Sequence, residues 1–316
     1  MNAPRTRVQR RPVHGVLLLD KPLGLSSNEA LQKAKWLLRA EKAGHTGTLD
    51  PLATGVLPLC FGAATKFSQI HLDADKTYEA IAQLGMKTAS GDAEGEVIDK
   101  RPVPHLTARH LAEMQVLFTG ALAQVPPMHS ALKKDGKALY EYARDGIDVE
   151  RPARDVTVHG LELTLLPDDR LRIVAKVSKG TYIRTLGEDI GEALGCGAHL
   201  VALRRIATGP FDIAQCVTLA ELETLDEPQR AALLLPVAAL LPGHEAVTLG
   251  TEDAGRFLSG LRRRGSWANA PHVAVHGPDG QLLGTAHIQA GELIPTRLLS
   301  PIEIKQMSGS TEPVPV

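Results

Sequence analysis

An α+β fold, with a large first domain around a mixed sheet and a smaller β-rich second one, is what the sequence predicts on three observations. At 316 residues the chain exceeds what one hydrophobic core usually organises. Strand-like and helix-like patterns intermix without a regular βαβ rhythm, and no GxGxxG or GxxxxGK(S/T) loop announces a nucleotide-cofactor fold. Toward the end the pattern changes to short apolar runs punctuated by Gly255, Gly260, Gly265, Gly277, Gly280, Gly284 and Gly291, which reads as a small all-β unit.

Each element has its own reason. Residues 1–12 are basic and contain Pro4 and Pro12, and read as a flexible arm. Residues 13–19 are apolar and end in Asp20-Lys21-Pro22-Leu23-Gly24, a strand leaving a sheet through a turn. Ser26 or Ser27 then caps a helix whose Leu31, Ala34, Leu37 and Leu38 share a face. From 41 to 55 the chain carries Gly44, Gly47, Pro51 and Gly55 with almost no periodicity, so it reads as a long loop of the kind that is usually functional. Residues 77–84 alternate as a strand, and 107–118 form a helix through Leu111, Met114, Val116 and Leu117. Leu171, Ile173, Ala175 and Val177 alternate with polar residues in the cleanest half-buried strand. Lys179-Gly180-Thr181 turns that strand into a helix carrying Leu186, Ile190 and Leu194. Residues 133–154 hold six basic and five acidic side chains and read as an excursion, expected over about 124–152 to be mobile in the free protein and to order on a polyanion. The acidic, Ala/Leu/Pro-rich region 221–242 closes the first domain, which spans 13–248; the second spans 249–306, and 307–316 form a disordered tail.

Composition excludes some functions. With 43% apolar and 22% charged residues the chain is an ordinary globular one, and no stretch approaches the ~20 apolar residues of a membrane helix. Cys60, Cys196 and Cys216 lack a CxxC spacing and read as small buried hydrophobes of a reducing compartment, so a cytoplasmic protein is expected. The net charge of -1 announces no nucleic-acid partner, although a local patch can serve without a global excess. With 3% aromatic residues no large base-stacking platform is available.

The block GHTGTLDPLATGVLP, from Gly44 to Pro58, is the most informative stretch. Its glycines permit close backbone approach to a ligand, and Pro51 limits where the Asp50 carboxylate can point. Such a carboxylate suits a nucleophile or base, yet on composition alone a turn residue bonding its own backbone is the better reading.

Six ordered segments change that balance. KPLGLSS (21–27), the block 44–58, KTYEA (76–80), PPMHSALK (126–133), SKGTYIRTL (178–186) and HLVALRR (199–205) together resemble the TruB family of tRNA pseudouridine synthases over residues 13–212. The resemblance implies a catalytic domain on a mixed, largely antiparallel sheet with flanking helices, followed by a PUA-like RNA-binding β-barrel. The activity it implies is isomerisation of uridine 55 in the T loop of tRNA to pseudouridine, by a monomer that needs no obligatory protein partner and no membrane. The partner is then the T-arm stem-loop, and a tRNA-folding role is compatible with it. The reaction changes no oxidation state and moves no external group, so no cofactor and no metal is expected.

Asp50 carries over as the catalytic aspartate, acting on C1′ or C6 or stabilising a glycal-like intermediate. Tyr78, otherwise an ordinary sheet aromatic, matches the active-site tyrosine that stacks on uracil and shuttles a proton. Arg184, otherwise a solvated charge, is expected to pair with Asp50 and aim it. His45 and Tyr182 are assigned to RNA positioning, and Lys21, Lys66, Lys133, Lys179 and Arg205 to phosphate contacts. Leu203 is expected to wall the uracil pocket, with a buried core leucine the equal alternative. The basic cluster of Arg256 and Arg262-Arg263-Arg264 belongs to the RNA-binding domain. A rival reading, an RNA-binding protein without chemistry, has no need of a carboxylate facing an anionic polymer.

Overall fold

The apolar run 16–19 lies in β1 (Gly15–Lys21) in a computed structural model that describes residues 9–130 and 132–308. Leu17 and Leu19 enter one hydrophobic core while Val16 and Leu18 enter another on the opposite face, which is why the run shows no alternation. Ser26 then caps α1 (Ser27–Leu37) by a reciprocal box: its hydroxyl accepts from the Glu29 amide at 3.2 Å and the Glu29 carboxylate accepts from the Ser26 amide at 2.8 Å. The helix buries Ala30, Leu31, Ala34 and Leu37.

The expected loop 41–55 is shorter than predicted. β2 (Ala43–His45) occupies its start, and β3 (Ala53–Phe61) begins inside its end and pairs antiparallel with β1. β3 is buried on both faces, with Leu57, Leu59 and Phe61 in one core and Val56 and Cys60 in the other, so neither a period of 2 nor a polar face marks it. Gly55 and Pro58 further disguise it as a loop.

After α2 (Ser68–Leu72) come β4 (Lys76–Leu84), the hairpin β5 (Met86–Thr88) and β6 (Val97–Lys100), and α3 (Ala108–Leu117). In α3 only Leu111 is fully buried, and Val116 and Leu117, expected on its inner face, are 79% and 56% exposed. β7 (Gly120–Gln124) leads into the charged excursion, which carries the two-residue ladder of β8 (Lys133–Lys134) and β9 (Lys137–Ala138) and a short α4 (Leu139–Arg144). β10 (Arg154–Leu166) and β11 (Arg170–Val177) form a long hairpin, and α5 (Ile183–Ala193) and β12 (Ala198–Thr208) follow. β13 (Phe211–Asp212), β14 (Val217–Thr218), α6 (Leu219–Thr224) and α7 (Glu227–Ala232) complete the first unit.

Ten strands form one sheet along β14-β1-β3-β12-β4-β11-β10-β7, with β2 and β13 attached at β3 and β12. Only β1–β14 and β3–β12 pair in parallel, so the sheet is mixed and largely antiparallel, with α1 and α5 packed into the core of one face. β4 and β12 lie at its centre.

The second unit begins earlier than residue 249: β15 (Glu245–Thr248) already pairs with β17 (Ala270–His276). Between them lie α8 (Thr251–Leu258), which the all-β expectation missed because Gly255 sits mid-helix, and β16 (Arg263–Arg264). β18 (Leu282–Gln289), β19 (Glu292–Leu298) and α9 (Pro301–Met307) close it. The strand order β15-β17-β18-β19-β16 is that of a curled five-stranded sheet, a half-barrel whose edge strands β15 and β16 do not pair with each other among the described residues. The expected tail starts at Met307, which ends α9; residues 309–316, like arm residues 1–8, lie outside the described residues. The rest of the arm is tied down, since Arg10 donates to the Ala40 carbonyl at 2.8 Å and Arg11 bridges to Ala40.

The two units share a core. Ala274, Leu282 and Leu299 pack with Val16, Leu18, Val56 and Phe67, and Lys66 spans the junction to Glu303 at 2.6 Å and the Leu298 carbonyl at 3.0 Å. A chain ending at Gly243 therefore exposes apolar surface of the first unit. Its thermal midpoint is expected to fall by roughly 5–10 °C, and an unchanged melt would show the two units to be energetically independent.

Candidate active site

Asp50 sits in the turn that enters β3, its carbonyl accepting from Ala53 N at 3.0 Å. Two anchors hold this turn against the start of α1. Buried Ser27 donates its hydroxyl to the Leu49 carbonyl at 3.0 Å and accepts from the Leu49 amide at 2.7 Å, while Gly24 N donates to the Pro51 carbonyl at 2.9 Å. From the other side Arg205, 1% exposed, donates to the carbonyls of Val56 at 2.7 Å and Gly47 at 3.1 Å. At Gly55 (φ +103°) a Cβ would stand 2.1 Å from the Arg205 carbonyl. That glycine thus admits the neighbouring strand, not a ligand, to close approach.

Arg184, in the first turn of α5, is 4% exposed and gathers the site. Its guanidinium reaches Asp50 Oδ2 at 2.9 Å and Asp92 Oδ2 at 3.4 Å, and donates to the carbonyls of Ser90 at 3.0 Å and His129 at 2.7 Å. Asp92 is itself buried, accepting at Oδ1 from Ser90 Oγ and from Glu94 N at 3.1 Å. Gly91 turns the chain there with φ +73°, a conformation that L side chains rarely adopt. A rigid planar fork held by this many partners can present one fixed edge to Asp50. The Asp50 side chain is 41% exposed, so the carboxylate is fixed from behind and open in front.

In front of it is a cavity of about 430 Å³ lined by Asp50, Tyr78, Tyr182, Arg184, Leu203 and Lys76, among others. β4 and β12, neighbours at the centre of the sheet, together supply one wall: Tyr78 pairs with Arg205 and Leu203 with Ala80 in their antiparallel register. Tyr182 caps α5, its backbone clamped by Gln124, which donates to the Tyr182 carbonyl at 3.0 Å and accepts from its amide at 2.7 Å. Burial holds the Tyr182 phenol above the usual tyrosine range.

The sequence matches the profile of the TruB family pseudouridylate synthase N-terminal domain over residues 35–183, and that of the tRNA pseudouridylate synthase B C-terminal domain over 184–242. It is 62% identical to tRNA pseudouridine synthase B of Verminephrobacter eiseniae over 315 residues, covering 98% of this chain and 95% of that one. The chain belongs to the TruB family. The Ralstonia nicotianae tRNA pseudouridine synthase B is 58% identical over 302 residues, covering 92% of this chain and 95% of that one. The fold of the present chain is also similar to that of a chain of a Cbf5-Nop10-Gar1 complex, with a TM-score of 0.69 at 24% identity over 92% of this chain and 87% of that one.

In this TruB-family chain the structure brings together Asp50, Tyr78, Tyr182, Arg184, Leu203 and Arg205 of the expected site residues, and separates the others. Three expected phosphate contacts are otherwise employed. Lys21 is fully buried, donates to the Pro22 carbonyl at 2.9 Å and to the Leu25 carbonyl, and is pushed down to about 8 chiefly by burial. Lys66 is the strut to the second unit, and Arg205 braces the Asp50 turn. Lys179 is exposed and paired with Asp73 at 2.8 Å, and Lys133 is exposed on β8 and not among the cavity-lining residues. His45 lies on β2 outside the cavity lining, its Nδ1 buried without a hydrogen-bond partner among the described residues. Burial and then the Arg205 charge hold its imidazole below the usual histidine range.

Sequence reasoning missed Asp92, Ser27's hold on Leu49, and Gln124. For Asp92 a signal existed, since Gly91 and Gly95 bracket it much as glycines bracket Asp50. Among the described residues no helix is long and apolar enough to cross a membrane.

Proposed function

We propose that this chain converts uridine 55 in the T loop of tRNA to pseudouridine, with Asp50 as the reacting carboxylate. The observation that carries the reading is Asp50 held at 2.9 Å by a buried, multiply anchored Arg184 at the mouth of a cavity of nucleoside size. A uridine stacked in an RNA loop reaches that carboxylate only by turning outward into the cavity, at a cost of a few kcal/mol. Tyr78 offers a ring face for the extruded uracil and a phenol for proton movement, and Leu203 an apolar wall.

The bond changes are internal to the substrate. N1–C1′ breaks, the uracil turns, C5–C1′ forms, the C5 proton leaves and N1 takes up a proton, so that product and substrate are isomers. Asp50 either attacks C1′ or C6 and later departs, or stabilises the sugar intermediate while the base turns. Water exclusion by the stacked base and the fixed orientation of Asp50 serve each of these routes.

An isolated T-arm stem-loop RNA tests this reading. It is expected to acquire pseudouridine, while an anticodon stem-loop of equal length does not. Equal modification of both, or of neither, would overturn the assignment of the T arm.

A further inference from the structure

One cation in the cavity wall takes no part in the Asp50–Arg184 pair. Lys76, 8% exposed, opens β4 two residues before Tyr78 and so faces the same side of the strand. Its ammonium donates to the carbonyls of Leu72 at 2.6 Å and of Ala74, which engages two of the three N–H groups an ammonium carries. The two nearby carboxylates attract it without an ion-pair contact: Asp73 pairs with Lys179 at 2.8 Å, and Asp75 lies 3.2 Å from His159. The remaining charged or titratable groups around it add no negative charge. Arg205 braces the Asp50 turn, Lys179 is cationic, and the buried His71, 3.2 Å from Thr208, is pushed down to about 4 by burial and by the Lys76 and Arg205 charges.

A buried ammonium without a counter-ion is expensive unless an anion completes it. The cavity wall beside Lys76 is made by Ser178, Gly180 and Thr181, a polar turn that offers no competing carboxylate. A flipped nucleotide brings one anion of fixed charge into such a corner, its backbone phosphate. We propose that Lys76 is a substrate-positioning residue whose third N–H binds a phosphate oxygen of the extruded nucleotide. This rests on reading the cavity as the seat of a flipped uridine.

Burial, reinforced by Arg205, brings Lys76 down to about 8 in the free protein. The cationic form that binds phosphate is therefore lost as pH rises through about 8, so kcat/KM for tRNA falls there. Arginine stays charged throughout that range. Lys76→Met is expected to weaken tRNA binding about tenfold, to lower the slope of log affinity against log salt by roughly 0.7–0.9, and to change the single-turnover rate at saturating tRNA by less than about threefold. In Lys76→Arg binding returns toward the parent and the alkaline fall near pH 8 disappears. A role confined to capping α2 would move neither the salt slope nor the pH profile, and a matched thermal melt confirms that the variants fold. Unchanged affinity and salt slope in Lys76→Met would overturn the proposal, as would a loss confined to the saturated rate, which would place Lys76 on the reacting base. A parent protein that forms no pseudouridine would instead sink the reading of the cavity, whatever the Lys76 variants do.

Discussion

Asp50→Asn is expected to lower pseudouridine formation by more than about a thousandfold while tRNA affinity stays within about tenfold of the parent. Asparagine keeps the shape of the side chain, so the Ser27, Gly24 and Arg205 anchors of the turn remain. What it loses is the carboxylate oxygen and the charge facing Arg184 at 2.9 Å. Tritium release from C5-labelled uridine in a tRNA transcript measures the chemical step, and filter binding measures affinity. Turnover near the parental rate would remove Asp50 from the chemistry; joint loss of binding and turnover would place its role in loop structure.

Arg184→Lys comes next in size, although it keeps the charge. The arginine joins two carboxylates and two backbone carbonyls at once, and a single ammonium on a flexible stem cannot span that set. Losing one or two charge-assisted contacts in a buried setting costs about 2–3 kcal/mol, which is about a 30- to 150-fold slower single-turnover rate. Asp92→Asn tests the same arrangement from behind, and a loss of about tenfold is expected because Arg184 then keeps only one carboxylate partner. Affinity for tRNA should change little in either variant. A parental rate in Arg184→Lys would show that charge alone, without the fork geometry, aims Asp50.

The fold was legible where burial is one-sided. The alternation of Leu171 to Val177 located β11, and Ser26 or Ser27 ahead of Leu31, Ala34, Leu37 and Leu38 located the start of α1. β3 was not legible, because a strand buried on both faces has no polar period and Gly55 and Pro58 imitate a loop; only the contact with Arg205 explains that glycine. At the site, the order and spacing of six segments picked out Asp50, Tyr78 and Arg184 together. Side-chain type could not tell an exposed cation from an internal brace, so Lys21, Lys66 and Arg205 looked like Lys133 and Lys179 in the sequence and differ from them in burial and in the backbone carbonyls they hold. The carboxylate behind Arg184 went unread because its partner is 92 residues away in the chain and meets it only when the turn at Gly91 packs on α5.

On the proposed reading Asp50 and Arg184 act on one uridine of a tRNA T loop. Nucleotide-resolution mapping of pseudouridine in an unmodified tRNA transcript, after incubation with the parent protein, tests it most directly. One new pseudouridine at position 55, and none elsewhere in the transcript, is the result predicted. An unmodified uridine 55, with or without pseudouridine at another position, would contradict it.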